Sequence, residues 1–156
     1  MSTITGNIDK TLTEYVTVHI GDQLFGLPIA RVQDVFMPVR MTRVRLAAEE
    51  IAGVLNLRGR IVTAVDMRHR LGLPKREDDR PPMAVGIEFK GESYGLLIDT
   101  VGEVLKLDDN AREANPVNLD ARLARVSAGV QRLEGQLLVI LDVDRVLDMG
   151  SNALAA

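Results

Sequence analysis

An internal repeat is the feature of this sequence that most constrains its fold. The segment Val18–Val35 resembles Ile87–Val104, which lies 69 positions further along the chain. An aromatic–Gly–Leu triplet marks the same point in both segments, at Phe25–Leu27 and at Tyr94–Leu96. Repeats of this kind indicate that one structural unit occurs more than once.

A second pair of blocks follows in the same order. Gly53–Gly59 matches Gly129–Gly135, and each block precedes an apolar run that ends in an aspartate, Asp66 or Asp142. Two ordered matches within 156 residues predict two copies of one unit. We place the first β-barrel subdomain at residues 14–80 and the second at 81–149, and we allow strands to be exchanged between the two barrels.

Glycines at equivalent positions of the two copies predict tight turns between strands. Gly21 and Gly91 each lie where a hairpin must reverse, and Gly59 and Gly135 mark a second pair of turns. Ahead of the first turn, apolar residues surround polar Thr17 and His19, which predicts a half-buried strand. The strands predicted around the second pair of turns are Val54–Leu57, Ile61–Val65, Val130–Leu133 and Leu137–Leu141.

The helical signals are short, so the fold class is mainly β. Several short strands, tight turns and an aromatic content of 3% predict small β-barrels that share one core of Leu, Ile and Val. The polar, proline-rich segment Pro74–Pro82 predicts a surface linker between the copies. The predicted short helices are Ala47–Ile51, Asp66–Leu71, Asp142–Leu147 and one from Asp108 that ends before Pro116.

Composition excludes several function classes. The chain has no cysteine and only two histidines, which excludes a disulfide framework, a thiol nucleophile and a thiolate or imidazole-rich metal centre. Its formal net charge of −3 does not favour binding to phosphate backbones. The sequence has no membrane-spanning apolar run and no evident secretion signal, so we expect a cytoplasmic protein. No cofactor and no metal are predicted.

Enzymatic activity is the lowest-ranked of three functional interpretations of this sequence. It would depend on Asp66 and Asp142, which lie at equivalent repeat positions. Neither aspartate carries the flanking sequence of an aspartic protease, and we interpret both as helix N-caps. Asp144, close to Asp142, is interpreted as surface charge rather than a cation ligand. His19 and His69 are expected to be exposed and without a nucleophile partner. No catalytic residue is therefore predicted.

The segment Asn56–Gly59 places an arginine just before a turn glycine. Its repeat counterpart is Glu134, so the fold does not require arginine at both positions. One interpretation is a surface arginine that pairs with a carboxylate such as Asp34. The other is that Arg58 and this carboxylate border an apolar docking groove.

Four blocks of the sequence, Gly26–Val35, Ile51–Val62, Val65–Arg68 and Gly95–Leu105, match a known family. On these blocks the chain resembles, from Glu14 to Leu147, the CheW family, the coupling proteins of bacterial chemotaxis. The G-V-x-N-L-R-G block is the most specific part of this resemblance. Thr63 stands where many family members carry proline, and its backbone N–H predicts a different strand edge there.

The resemblance implies two intertwined five-stranded SH3-like barrels and a stand-alone adaptor without enzymatic activity. Such an adaptor joins the cytoplasmic tips of methyl-accepting chemoreceptors to the regulatory domain of the histidine kinase CheA, and is recruited to receptor arrays at the inner face of the membrane. Receptor helices would dock in a groove between the barrels. The residues implied for the groove are Val32, Asp34, Val35, Val54, Asn56, Leu57 and Arg58; those implied for the kinase contact are Val16, Ile29 and Val32.

The alternative is a small-barrel nucleic-acid-binding protein. Barrels of this size often bind single strands through exposed aromatic residues and a basic stripe. This chain has five aromatic residues, and two of them, Phe25 and Tyr94, are predicted core positions of the repeat. We therefore expect neither nucleic-acid binding nor membrane insertion.

Overall fold

The computed structural model describes residues 12–43 and 49–148, which form ten β-strands and three short α-helices. Two single 3₁₀ turns lie at Ile29–Arg31 and Asp109–Ala111. The helices are α1 (Met67–Arg70), α2 (Ala121–Val126) and α3 (Val143–Leu147). The strands are β1 (Leu12–Ile20), β2 (Gln23–Pro28), β3 (Val32–Phe36), β4 (Ile51–Leu57), β5 (Arg60–Asp66), β6 (Met83–Phe89), β7 (Glu92–Ile98), β8 (Thr100–Asp108), β9 (Ser127–Leu133) and β10 (Gln136–Leu141).

The strands form two five-stranded sheets that repeat one pattern. The β1 sheet has the order β8-β1-β2-β10-β9, and the β6 sheet has the order β3-β6-β7-β5-β4. Replacing every strand by its repeat counterpart converts one order into the other. Each sheet therefore combines a hairpin from one copy with three strands from the other copy. The boundary between residues 80 and 81 separates the sequence repeats but not the sheets, and the predicted mainly β class is confirmed.

Strand pairing follows the predicted turns. Antiparallel hairpins reverse at residues 21–22 and 90–91, and again at 58–59 and 134–135. The two hairpins of a sheet meet through parallel pairs, Phe25 opposite Val139 and Val65 opposite Leu96. β5 and β10 are interior strands with nearly continuous burial, which explains their apolar sequences.

One hydrophobic core is shared by both sheets. Phe25 of the β1 sheet and Leu96 of the β6 sheet are fully buried in the same cluster, together with residues of α1 and α3. Full burial of one such side chain contributes roughly 1.5–3 kcal/mol. A second, smaller cluster lies in the β6 sheet, where Phe36 packs against Leu55 and Val62.

Two strand predictions are wrong in detail. Thr17 is buried, because its hydroxyl donates a 2.6 Å hydrogen bond to the carbonyl oxygen of Glu103 in β8 and so needs no water. Thr63 does not lie at an edge: it is buried in β5, opposite Val54 on one side and Tyr94 on the other.

The helices confirm the predicted caps. Asp66 accepts a hydrogen bond from the backbone N–H of His69 at the start of α1, and Asp142 accepts one from Arg145 at the start of α3. The helix predicted from Asp108 is a single 3₁₀ turn, and α2 was not predicted. Of the helix predicted at Ala47–Ile51, residues 47–48 lie outside the described residues, Glu49 and Glu50 form a turn, and Ile51 begins β4.

Candidate functional site

A cavity of about 440 Å³ opens in the β6 sheet between strand β3 and the turn that joins β4 to β5; we call it the Arg58 cavity. The side chains of Phe36, Leu57 and Val62 give it apolar walls, and polar side chains surround its mouth. Its lining residues are Gln33, Asp34, Phe36, Leu57, Arg58, Arg60, Val62, Gly86, Ser93 and Tyr94.

An ion pair closes one side of this cavity. Nη1 of Arg58 lies 2.7 Å from Oδ2 of Asp34, and the other carboxylate oxygen of Asp34 accepts a 2.8 Å hydrogen bond from the backbone N–H of Val35. Asn56 fixes the turn, since its side-chain oxygen accepts a 2.9 Å hydrogen bond from the N–H of Gly59. Of the two interpretations of Arg58 left open by the sequence, the pair with Asp34 is therefore present.

This pair leaves Arg58 accessible. Its side chain is 75% exposed, and a guanidinium carries five N–H donors, so one contact to Asp34 leaves others for a partner. Arg58 also has a positive φ of 54° in the turn between β4 and β5, a backbone conformation that is uncommon for residues other than glycine. The two interpretations of Arg58, ion pair and groove border, are therefore compatible.

The structure brings only part of the predicted groove together. Asp34, Leu57 and Arg58 line the Arg58 cavity. The other four predicted residues lie on the same two strands but outside its lining: Val32 packs against the shared core, Val35 is 37% exposed, Val54 is half-buried and Asn56 is exposed. The lining strands all belong to the β6 sheet, so the cavity lies within one barrel rather than between the two.

Sequence reasoning missed the residues of the cavity that come from β7. Ser93 and Tyr94 line the cavity because β7 pairs in parallel with β5, where Val62 lies opposite Ser93. The repeat identified β7 as a hairpin strand but did not show whether β7 pairs with β5 or with β10, its repeat counterpart. Arg60, the first residue of β5, was also missed; its Nη1 lies 3.5 Å from the hydroxyl of Ser93.

The residues predicted for the kinase contact differ in exposure. Val16 is 6% exposed and lies in the shared core, and Val32 is half-buried against that core. Ile29, in the 3₁₀ turn after β2, is 40% exposed. Of the three, Ile29 is thus the side chain that a partner could contact directly.

The side chains weighed for catalysis have structural partners. Asp142 caps α3 and pairs with Arg145, and Asp144 pairs with Arg31 at 3.0 Å. Both histidines are exposed: Nε2 of His69 lies 2.9 Å from Glu49, and Nδ1 of His19 lies 3.4 Å from the hydroxyl of Thr100.

The aromatic residues offer no exposed stacking surface. All five lie in the described ranges and all are buried or half-buried. The rings of Phe89 and Tyr94 pack edge to face at 6.3 Å, and Nζ of Lys90 lies 5.1 Å from the centre of the Phe89 ring. These contacts do not favour the nucleic-acid alternative, which requires aromatic faces open to bases.

Comparisons with known proteins show which family and which solved structure this chain resembles. The family model described as CheW-like domain matches residues 14–151. The chain is 28% identical over 144 residues to chemotaxis protein CheW of Rhizobium meliloti, covering 90% of this chain and 93% of that protein. It is 26% identical to chemotaxis protein CheW of Thermotoga maritima, covering 86% and 87%. The crystal structure of scaffolding protein TtCheW from Thermoanaerobacter tengcongensis superposes with a TM-score of 0.79 at 26% identity, covering 91% and 97%.

Proposed function

The chain belongs to the CheW-like domain family, and we propose that it is a chemotaxis adaptor that couples chemoreceptors to the histidine kinase CheA without catalysing a reaction. The observation that carries this proposal is the likeness to a scaffolding protein over 91% of the chain, which includes both sheets. A scaffold needs a stiff body with separate surfaces for its partners. The shared core provides the stiffness, since it joins the two sheets into one packed unit.

The Arg58 cavity is the proposed receptor-docking surface. Its apolar walls can bury a side chain from a helical receptor tip, while Arg58 and Asp34 at its mouth can orient the polar flank of that helix. An apolar anchor beside an arginine is a frequent arrangement at binding hot spots. In this proposal Val35 and Asn56 extend the contact beyond the cavity, and Val32 and Val54 hold the strands in place.

The proposed kinase contact lies at the junction of β2 and β3. Ile29 is exposed there, and Val32 follows in the first position of β3, an edge strand of the β6 sheet. Edge strands carry free backbone groups that can pair with another barrel. Val16 contributes only by packing beneath this surface.

We propose that the protein reaches the membrane through its partners, at receptor arrays on the inner face. None of the helices in residues 12–43 and 49–148 has the length and apolar character needed to cross a membrane. Weak contacts to two partners suffice for such recruitment, because linked contacts raise the effective concentration of each partner.

Arg58→Ala tests the docking surface, with Arg132→Ala as a matched control. Arg132 is 69% exposed and pairs with Glu113 at 3.1 Å in the β1 sheet, so both variants remove one exposed arginine from one surface ion pair. We expect Arg58→Ala to weaken co-sedimentation with receptor tips about tenfold, because hot-spot arginines contribute more than 1.4 kcal/mol. Arg132→Ala should bind like the parent.

The same assay distinguishes the adaptor from the alternatives. The parent chain should capture the CheA regulatory domain and a receptor tip, but not a single-stranded oligonucleotide. Both variants should unfold within about 0.5 kcal/mol of the parent, since exposed ion pairs contribute little to stability. Equal receptor binding by Arg58→Ala and the parent would refute the docking role, and failure to capture either partner would refute the adaptor function.

A further inference from the structure

A second cavity, of about 410 Å³, lies at the opposite end of the β6 sheet. The Arg58 cavity contacts the first half of each of the parallel strands β5 and β7, at Arg60 and Val62 and at Ser93 and Tyr94. The second cavity contacts their last residues, at Asp66 and Ile98. The nearest lining residues of the two cavities are three positions apart in β7, Tyr94 and Leu97, and four in β5, Val62 and Asp66, a distance of roughly 10–13 Å at 3.3 Å per residue. They are separate sites.

Cationic side chains dominate this second cavity, which we call the basic cavity. Its lining carries five cations and two carboxylates, although the whole chain has a formal net charge of −3. Both carboxylates are already engaged: Asp66 caps α1, and Asp99 holds Arg68 through two hydrogen bonds of 3.0 and 2.7 Å. The five cations are Arg43, Arg68, Lys75, Arg76 and Arg80.

Arg76 brings an unsatisfied donor to this cavity. Its side chain is only 12% exposed, and its Nη2 binds Asp78 at 2.9 Å. Its Nη1 is buried, has no hydrogen-bond partner among the described residues, and lies 4.0 Å from Oδ1 of Asp99, too far for a hydrogen bond. A buried donor without an acceptor costs free energy, and a partner carboxylate that reached this atom on binding would recover it.

Two further cations at the cavity are exposed and have no ion-pair partner within the described ranges. They are Arg43, which follows the bridge between Thr42 and β4, and Lys75, in the segment between the repeats. Beside them the cavity has an apolar surface formed by Met41, Leu97 and Pro82. The basic cavity therefore combines free positive charge with an apolar wall.

We propose that the basic cavity is a further docking surface, distinct from the proposed receptor and kinase contacts, and that it binds an acidic, amphipathic segment of a partner protein. A glutamate or aspartate of that segment would accept hydrogen bonds from Arg76 and pair with Arg43 or Lys75, while an apolar neighbour packs on Met41 and Leu97. Charge complementarity commits the site to an anionic partner, and the apolar wall favours a protein segment over a free anion. The lack of exposed aromatic residues in the described ranges disfavours a nucleic acid.

The test uses the full chain and a fluorescent, capped helical peptide with glutamate and leucine on one face. We expect saturable binding that weakens as salt is raised, with amide shifts in an NMR titration confined to residues 41–43, 75–80 and 97–99. The variant Arg43→Gln/Lys75→Gln should bind about tenfold more weakly, since it removes two partner-facing charges. Arg58→Ala and Arg132→Ala should bind like the parent.

Three probes separate the possible ligands: the peptide with glutamine in place of glutamate, inorganic phosphate, and vesicles containing phosphatidylglycerol. The proposal holds if the glutamine peptide fails to bind and if neither phosphate nor vesicles displace the glutamate peptide. Both competitors are added at concentrations that supply the same negative charge as the peptide. Equal binding of the glutamine peptide, displacement by phosphate or vesicles, shifts centred on the Arg58 cavity, or an unaffected double variant would each overturn it. Because both substituted residues are exposed and unpaired, the double variant should fold like the parent.

Discussion

Asp99 shows at the residue scale how the two copies are tied together. It lies just after β7, and its carboxylate binds Arg68 of α1 through two hydrogen bonds. The same carboxylate accepts a 2.9 Å hydrogen bond from the backbone N–H of Gly21, in the turn of the other sheet's hairpin. Burial acts to raise the pKa of Asp99, but the hydrogen bonds from Arg68 and Gly21 outweigh it and, with the charge of Arg76, lower that pKa. One side chain thus connects three separate segments.

Asp99→Asn should reduce the free energy of unfolding by about 2 kcal/mol near neutral pH, because it removes charged hydrogen bonds at a mostly buried position. A carboxylate with a lowered pKa stabilises the fold above its ordinary pKa of 3.8, and this contribution is lost as the pH falls through the folded-state value. The gap between parent and variant should therefore narrow in acid. Urea denaturation over a pH series measures it.

Asp144→Asn is the matched control, since the Asp144 side chain is 64% exposed in its pair with Arg31. It should change the free energy of unfolding by less than about 0.5 kcal/mol at every pH. A constant gap between the parent and Asp99→Asn down to the most acidic folded conditions would contradict the assigned role of the Asp99 charge.

At the element scale, the repeat predicted the hairpins and their turns but not which copy each hairpin joins. The reason is the repeat itself: β2 can meet either β5 or β10, and both offer nearly the same apolar strand. The local sequence pattern of apolar residues therefore does not distinguish the two possible strand pairings. For the same reason the Arg58–Asp34 pair could be predicted, whereas the contribution of Ser93 and Tyr94 to the Arg58 cavity could not. Buried Thr17 shows a second limit, because polarity predicts exposure unless a distant acceptor is known.

Gly53 and Gly129 mark equivalent crossings where a second segment passes close to β4 or β9. Val54 exchanges two 2.8 Å backbone hydrogen bonds with Thr42, and Val130 exchanges two of 2.8 and 2.9 Å with Glu113. A Cβ atom at Gly53 would collide with the carbonyl oxygen of Thr42. Glycine at this position thus has a packing reason that the sequence comparison alone did not give.

Gly53→Ala should lower the free energy of unfolding by about 2–4 kcal/mol, because backbone rather than a movable side chain opposes the new methyl group. Gly59→Ala is the control: its φ is 82° but nothing lies within 4 Å, so only the backbone strain of about 1 kcal/mol is expected. Chemical denaturation compares the two. Equal losses would mean that the segment at Thr42 can move away without cost.

At the scale of the whole molecule, the exchange of strands makes folding a joint property of the two halves. The β1 sheet contains only β1 and β2 from residues 1–80, and its other three strands lie beyond that boundary. The β6 sheet likewise takes β3, β4 and β5 from the first half and β6 and β7 from the second. The shared core contains side chains from both halves, including Phe25 and Leu96.

A fragment of residues 1–80 should therefore remain unfolded by itself, although it contains one full copy of the repeat. To form a barrel, it would have to pair β5 with its own β2 instead of β7, without the side chains that the other half adds to the shared core. A unit of this size alone also buries only about 60% of the surface that its unfolded chain exposes. Mixed with residues 81–156, it should give dispersed amide signals, because every inter-strand pair can form again. Only the covalent link between residues 80 and 81 is then missing. Circular dichroism and NMR of each fragment and of the mixture provide the measurement. A dispersed spectrum from the single fragment would show that one copy of the repeat can form a barrel by itself. The exchange of strands between the copies would then not be required for folding.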